Sequence, residues 1–232
     1  LPSGPLAVDL LRVTAMVNLN SGRLQQALAA AEQAVAQARR IDDDLALLRS
    51  LLPLQLALSA GERTAQTLAV SQEIESLALR TQNPHFVALA LLGQGVVWLR
   101  YGDFARSEQT LHRALASLPV EMGPVPESVA QGLLASSALM QGQLTLAEER
   151  AQVTVATIRR SHWEMVDLRH ALGCVIEVFL DLPHATRHQP TLSWALALLR
   201  RLGRMFPLAR AQSIFYEARL ALRQGLRQQA MD

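Results

Sequence analysis

Short turns carrying glycine recur at Gly22, Gly61, Gly102, Gly142 and Gly225, each preceded by an apolar helical pattern. The first three gaps are about forty residues each, and the last is close to two such periods. A degenerate turn is therefore expected near residue 183, where Leu182, Pro183 and His184 stand. A fixed spacing of this length constrains the fold more than any composition figure. One such unit cannot bury its apolar side alone, so neighbouring units must stack to make a continuous core.

Each unit reads as two helices. Leu6 to Leu19, Leu45 to Ala60, Phe86 to Arg100, Ser128 to Met140, Glu164 to Leu182 and Leu208 to Arg223 carry Leu and Ala at three- and four-residue spacing. The stretches beginning near Arg23, Arg63, Asp103, Gln143 and Thr191 read as the return helices, and nothing alternates with a period of two. Asn83 before Pro84 and Pro190 before Thr191 mark helix starts, and Ser161 to Glu164 has the spacing of a capping box. Pro53, inside a helical pattern, is expected to kink it. The predicted architecture is all-α, with about five to six antiparallel helix pairs forming a single helical-repeat domain over 1–232. Leu1 in place of an initiator Met, and apolar Ile214, Ala218, Ala221 and Leu222 near the other end, suggest a fragment of a larger protein.

The segment from Ala88 to Pro119 resembles one tetratricopeptide repeat. Gly95 lets the two helices approach, Trp98 fills the gap, Gly102 makes the turn, Ala114 packs the return helix and Pro119 ends it. An Ala five residues after the glycine recurs at Ala27, Ala147 and Ala230. A period near 40 is longer than the family's usual length of about 34 and, taken alone, favours HEAT-type repeats. The Gly and Ala marks point to the tetratricopeptide side. Long variants of this kind are similar to the helical-repeat regions of large ATP-dependent LuxR-type (maltose-activator-like) transcription regulators. That resemblance implies a right-handed superhelix whose inner wall is lined by the first helix of each pair.

Laying the family register on each turn glycine selects residues thirteen, ten, six, three and two places before it as inward-facing. The first unit then offers Asp9, Arg12, Met16, Leu19 and Asn20, and the second Leu48, Leu51, Gln55, Leu58 and Ser59. The third offers Leu89, Leu92, Val96, Leu99 and Arg100, and the fourth Val129, Gly132, Ser136, Leu139 and Met140. A mainly apolar strip suits an amphipathic helix or a flexible apolar ligand. Arg12, Met16, Asn20, Gln55, Leu92, Val96, Arg100, Ser136, Met140 and Arg219 are the candidate contacts. Packing is the favoured reading of the apolar members, because Leu and Val in so apolar a helical array are more often core than contact. Arg12, Asn20, Arg100 and Arg219 are the better contact candidates, with solvated surface the equal alternative.

Reactive chemistry is hard to find. All 22 basic residues are Arg, and they nearly balance 20 acidic ones, so no nucleic-acid surface is implied. The absence of Lys removes the essential cation of a phosphate loop, and no GxSxG, HExxH or CxxC pattern occurs. His184 and His188 have the gap of some metal pairs, but no Cys stands nearby and the setting is a loop, which does not favour a zinc site. His170, Cys174 and Glu177 share a helical face, yet Leu172, Val175, Ile176 and Phe179 around them favour a buried, inert thiol. Asp42 to Asp44 read as a solvated linker that caps the next helix. Cys174 is the only cysteine, no signal peptide is evident, and the longest uncharged apolar stretch, Phe86 to Leu99, is shorter than the roughly 18 residues of a membrane span.

The sequence therefore predicts a cytoplasmic, non-catalytic chain without cofactor or metal. It would be a protein-interaction or effector-sensing repeat domain of a multidomain bacterial transcription regulator, contacting a protein, a peptide or a small-molecule effector, with no membrane or direct nucleic-acid contact. A stand-alone adaptor that holds a peptide or helix in its groove is the alternative.

Overall fold

The computed structural model describes residues 4–160, 167–183, 185–223 and 225. Among them there are eleven α-helices and no strand. In chain order these are α1 (Pro5–Asn20), α2 (Leu24–Arg40), α3 (Asp44–Ala60), α4 (Thr64–Arg80), α5 (Pro84–Tyr101) and α6 (Phe104–Ser117). A 3₁₀ turn at Val120–Met122 precedes α7 (Pro124–Met140), α8 (Leu144–Arg160), α9 (Leu168–Asp181), α10 (Gln189–Met205) and α11 (Pro207–Arg223). The chain divides into two compact units, Leu1–Met122 and Gly123–Asp232. The capping-box expectation at 161–164 lies outside the described residues, as do His184 and Ala230.

The repeat is more regular than the glycines suggest. Helices α2 to α8 begin at Leu24, Asp44, Thr64, Pro84, Phe104, Pro124 and Leu144, a constant step equal to half the helix-pair period. Left-handed backbone follows the same step: Gly22, Asp42, Glu62, Gln82, Gly102 and Gly142 all have positive φ. Most of these turns share one hydrogen-bond pattern. The amides of Arg23, Arg63, Asn83, Asp103 and Gln143 donate to the carbonyls of Asn18, Leu58, Ala78, Trp98 and Ala138, at 2.8 to 3.0 Å. This closure satisfies carbonyls that a helix end would otherwise orphan, and it needs one residue in the left-handed region.

The second turn overturns an expectation. Gly61 has φ −86, while Glu62 has φ 57. Glu62, not Gly61, is therefore the counterpart of Gly22 and Gly102, and it stands midway between them. The register predicted for α3 is off by a single position.

Helix starts are capped as the residue types require. The Asp43 carboxylate accepts from the amides of Leu45 and Ala46 at 2.9 and 3.0 Å, and Asp103 accepts from Arg106 at 3.1 Å. Asp44 instead pairs with Arg80 at 3.1 Å. Pro53 is buried inside α3, and the helix runs continuously past it.

In the first unit each helix packs on the next, and α1, α3 and α5 also touch in sequence. Small residues set these approaches. A Cβ on Gly95 would lie 2.5 Å from Leu111 Cδ2, and the Ser107 hydroxyl donates to the Gly95 carbonyl at 2.9 Å. Ala27, Thr67, Ser107 and Ala147, each five residues after a left-handed turn residue, are buried. The second helices are tied by Arg39 with Glu73 at 2.7 Å and Arg113 with Glu75 at 2.6 Å.

The second unit has its own core around Phe179, Leu172, Ile176, Leu192 and Leu199. There α9 contacts α7, α8, α10 and α11. A Cβ on Gly132 would meet Cys174 Cβ at 3.2 Å, so α7 and α9 cross closely. Ile214, Phe215 and Leu222 of α11 are exposed, whereas Ala221 is buried.

Holding a non-glycine residue in the left-handed region costs about 1 kcal/mol. Glu62→Gly should therefore raise the unfolding free energy in urea titration, by up to about 1 kcal/mol. Gly95→Leu should lower it by about 1–3 kcal/mol through overpacking against Leu111.

Candidate recognition wall

The corrected turn places an open face on α3. Counting back from Glu62 rather than Gly61 selects Arg49, Leu52, Leu56, Ser59 and Ala60, all exposed or half-buried. One residue turns a helix by about 100°. That rotation explains why Leu48, Leu51, Gln55 and Leu58, expected on the wall, are buried instead.

The same offsets leave Asp9, Arg12, Met16 and Asn20 of α1 and Leu89, Val96, Leu99 and Arg100 of α5 at least partly accessible. Arg12 pairs with Asp9 at 3.3 Å. Arg100 donates from Nη1 to the Ser59 carbonyl at 2.9 Å, which joins the faces of α5 and α3 and satisfies the last turn of α3. The first unit thus carries a wall of Leu, Met and Val side chains with Arg12, Arg49 and Arg100 among them.

Three expected contacts belong to the packing. Gln55 is only 3% exposed; its amide donates to Ser71 Oγ at 2.9 Å and to the Leu89 carbonyl at 3.5 Å, while its Oε1 has no hydrogen-bond partner among the described residues. Gly93 makes room for that amide, since a Cβ there would collide with Gln55 Nε2. Leu92 is 8% exposed and Ser136 is 7% exposed. Of the other two candidates in the second unit, Met140 is 68% exposed at the end of α7. Arg219 is held by Asp181 at 2.9 Å with its guanidinium 5.9 Å from the Phe215 ring.

Cys174 and Glu177 share their surroundings with a tyrosine that the sequence does not single out. Tyr216 of α11 donates to Glu177 Oε1 at 2.9 Å. Its close approach depends on Gly173, whose Cβ would lie 3.0 Å from the Tyr216 hydroxyl and 2.4 Å from Gln212 Nε2. Burial, then the Glu177 carboxylate, raises the Tyr216 hydroxyl above its usual range. Burial likewise pushes the Cys174 thiol up to about 12, with the neighbouring Ser136 hydroxyl partly offsetting it and Glu177 adding to it. The thiol keeps its proton at neutral pH, so it offers no thiolate nucleophile there.

His188 stacks on Phe179 at 4.3 Å between ring centres, and its Nε2 lies 3.4 Å from Glu148 Oε1. His188 and Glu148 line a small groove of about 180 Å³ with Leu144, Leu182 and Pro183. Among the described residues no three His, Cys, Asp or Glu side chains gather at metal-binding distance. None of the described helices is long and apolar enough to cross a membrane.

The class is plain from these observations: the chain is an all-α helical-repeat protein. No protein-family model matches it, and no curated protein matches it either.

Leu92→Asp places a carboxylate among packed side chains and should cost about 3 kcal/mol or more, whereas Leu56→Asp on the open face should cost under about 1 kcal/mol. Urea midpoints of the two variants check the wall assignment. Cys174 should resist a thiol reagent at pH 8 in the folded chain and react on unfolding. With the folded pKa above the unfolded value of 9.0, the unfolded chain loses its proton first, so this group's contribution to stability falls as pH rises from about 9 to about 12.

Proposed function

We propose that this chain is a non-catalytic recognition domain, whose first unit holds a helical or extended protein segment, or an apolar effector, against the wall of α1, α3 and α5. The single observation that carries this reading is the half-buried row of Leu52, Leu56, Leu89 and Val96, accessible to solvent beside the exposed Arg49. Apolar side chains left open along stacked helices are a common recognition surface. The arginines favour a partner that brings carboxylates to the rim of its apolar face, which adds steering and register more than affinity.

The setting we infer is a multidomain bacterial transcription regulator in the cytoplasm. This rests on the resemblance of the long-period repeat to the helical regions of LuxR-type (maltose-activator-like) regulators. In that setting binding would act by favouring one arrangement of the repeats over another. A stand-alone adaptor uses the same wall without attached domains.

Reading the coding sequence on both sides of this chain distinguishes the two. A nucleotide-binding module upstream and a helix-turn-helix downstream support the regulator, and flanking sequence without either removes it. The wall is tested with a purified partner found through that context. Arg49→Glu combined with Leu56→Asp should weaken binding at least about tenfold, equivalent to about 1.4 kcal/mol, with the helical circular-dichroism signal unchanged. Unchanged affinity would remove the wall from the proposal.

A further inference from the structure

Leu6, Leu10, Val13 and Val17 form a stripe along α1 with exposures of 73, 56, 48 and 57%. Their spacing of four, three and four residues is that of a helix–helix seam. The open wall does not account for them, because the stripe is centred about a quarter-turn around α1 from Arg12 and Met16, with Val13 and Val17 at the border.

The repeat shows what such a face does elsewhere. One period further on, the equivalent positions of α3 are Ala46, Ser50, Pro53 and Ala57, of which the last three are buried. Two periods on, in α5, they are Phe86, Ala90, Gly93 and Val97, of which Phe86, Ala90 and Val97 are buried. In both cases the preceding hairpin supplies the cover: α3 packs on α1 and α2, and Gly93 lies against Gln55 and Ser71 of α3 and α4.

A groove of about 390 Å³ opens beside the stripe, between Ala7, Leu10 and Leu11 on α1 and Gln33 and Ala36 on α2. The positions matching Leu10 and Leu11 in the second pair are Ser50 and Leu51, and both are fully buried. The stripe and groove are therefore the next step of an interface that the first unit already makes twice.

We infer that this face of α1 is a docking surface for one more helical hairpin with the same repeat period. Its second helix would lie in the groove as α2 lies on α3. A second copy of the chain fits less well: a stripe of four side chains is small beside the about 1,200 Å² or more that a stable pair of proteins buries in total. A hairpin seated on both α1 and α2 covers more of the apolar surface.

The repeat period makes the test direct, because Gly4 corresponds to Asp44. Duplicating residues 4–43 ahead of Gly4 supplies a hairpin in register with the face. The expected result is an added hairpin's helical circular-dichroism signal, a higher urea midpoint, and amide exchange in the original α1 slowed by about tenfold or more. Leu10→Asp with Val13→Asp in the original α1 should remove those gains. The same pair in the chain without the duplication should shift its midpoint far less, since about half of each side chain is already exposed.

Two outcomes overturn the inference. One is a duplicated hairpin that adds neither helix nor protection to α1. The other is a chain without the duplication that sediments as a dimer and becomes a monomer with Leu10→Asp, which would assign the face to a second copy. Neither touches Arg49 or Leu56, so the recognition wall stands or falls separately.

Discussion

A left-handed residue recurring at a constant short step, closing one helix and releasing the next, is the constraint on which the rest of the first unit depends. The turn hydrogen bonds fix how each helix leaves its predecessor. The buried Ala, Thr or Ser five residues after the first-to-second-helix turn lets the return helix settle against it. Where helices must come closer still, glycine makes the room, as Gly95 does for Leu111 and Gly93 for Gln55. Ion pairs between successive second helices lie at the surface and add little energy, but they agree with the same register.

This regularity also separates what is buried from what is offered. A first helix in the middle of the unit has one side on its own return helix, one on the preceding pair and one on the following pair. Only a narrow face is left for anything else. On α3 that face is Arg49, Leu52 and Leu56. The wall is thus a by-product of stacking. The second unit uses its polar groups differently, burying Cys174 and Tyr216 among α7, α9 and α11 with the Tyr216 hydroxyl on the half-buried Glu177.

The register of α1 and α5 was legible in advance. Arg12, Met16, Asn20, Val96 and Arg100 were placed on the wall by counting back from Gly22 and Gly102, and all are at least partly accessible. Arg49, Leu52 and Leu56 were missed, and Gln55 was misplaced, because Gly61 drew the register to itself. Glycine marks the cheapest left-handed residue, not the required one; Asp42, Glu62 and Gln82 adopt the same conformation without it. The signal was present: equal steps from Gly22 to Gly102 put the middle turn at Glu62. Leu92 and Ser136 needed coordinates, since a correct register still does not show how deeply neighbours cover a side chain.

The amino-acid sequence by itself determined the class of fold, the helix pairs and the turn spacing, because these follow from local periodicity, capping residues and backbone preferences. The tertiary structure alone decided which side of each helix remains open. Burial is a property of neighbours far apart along the chain: Ser71 and Leu89 enclose Gln55, and Gln212 and Tyr216 of α11 close over Gly173 of α9. A single-residue rotation exchanges a packed face for a free one, and only the coordinates of all the neighbours together determine that angle.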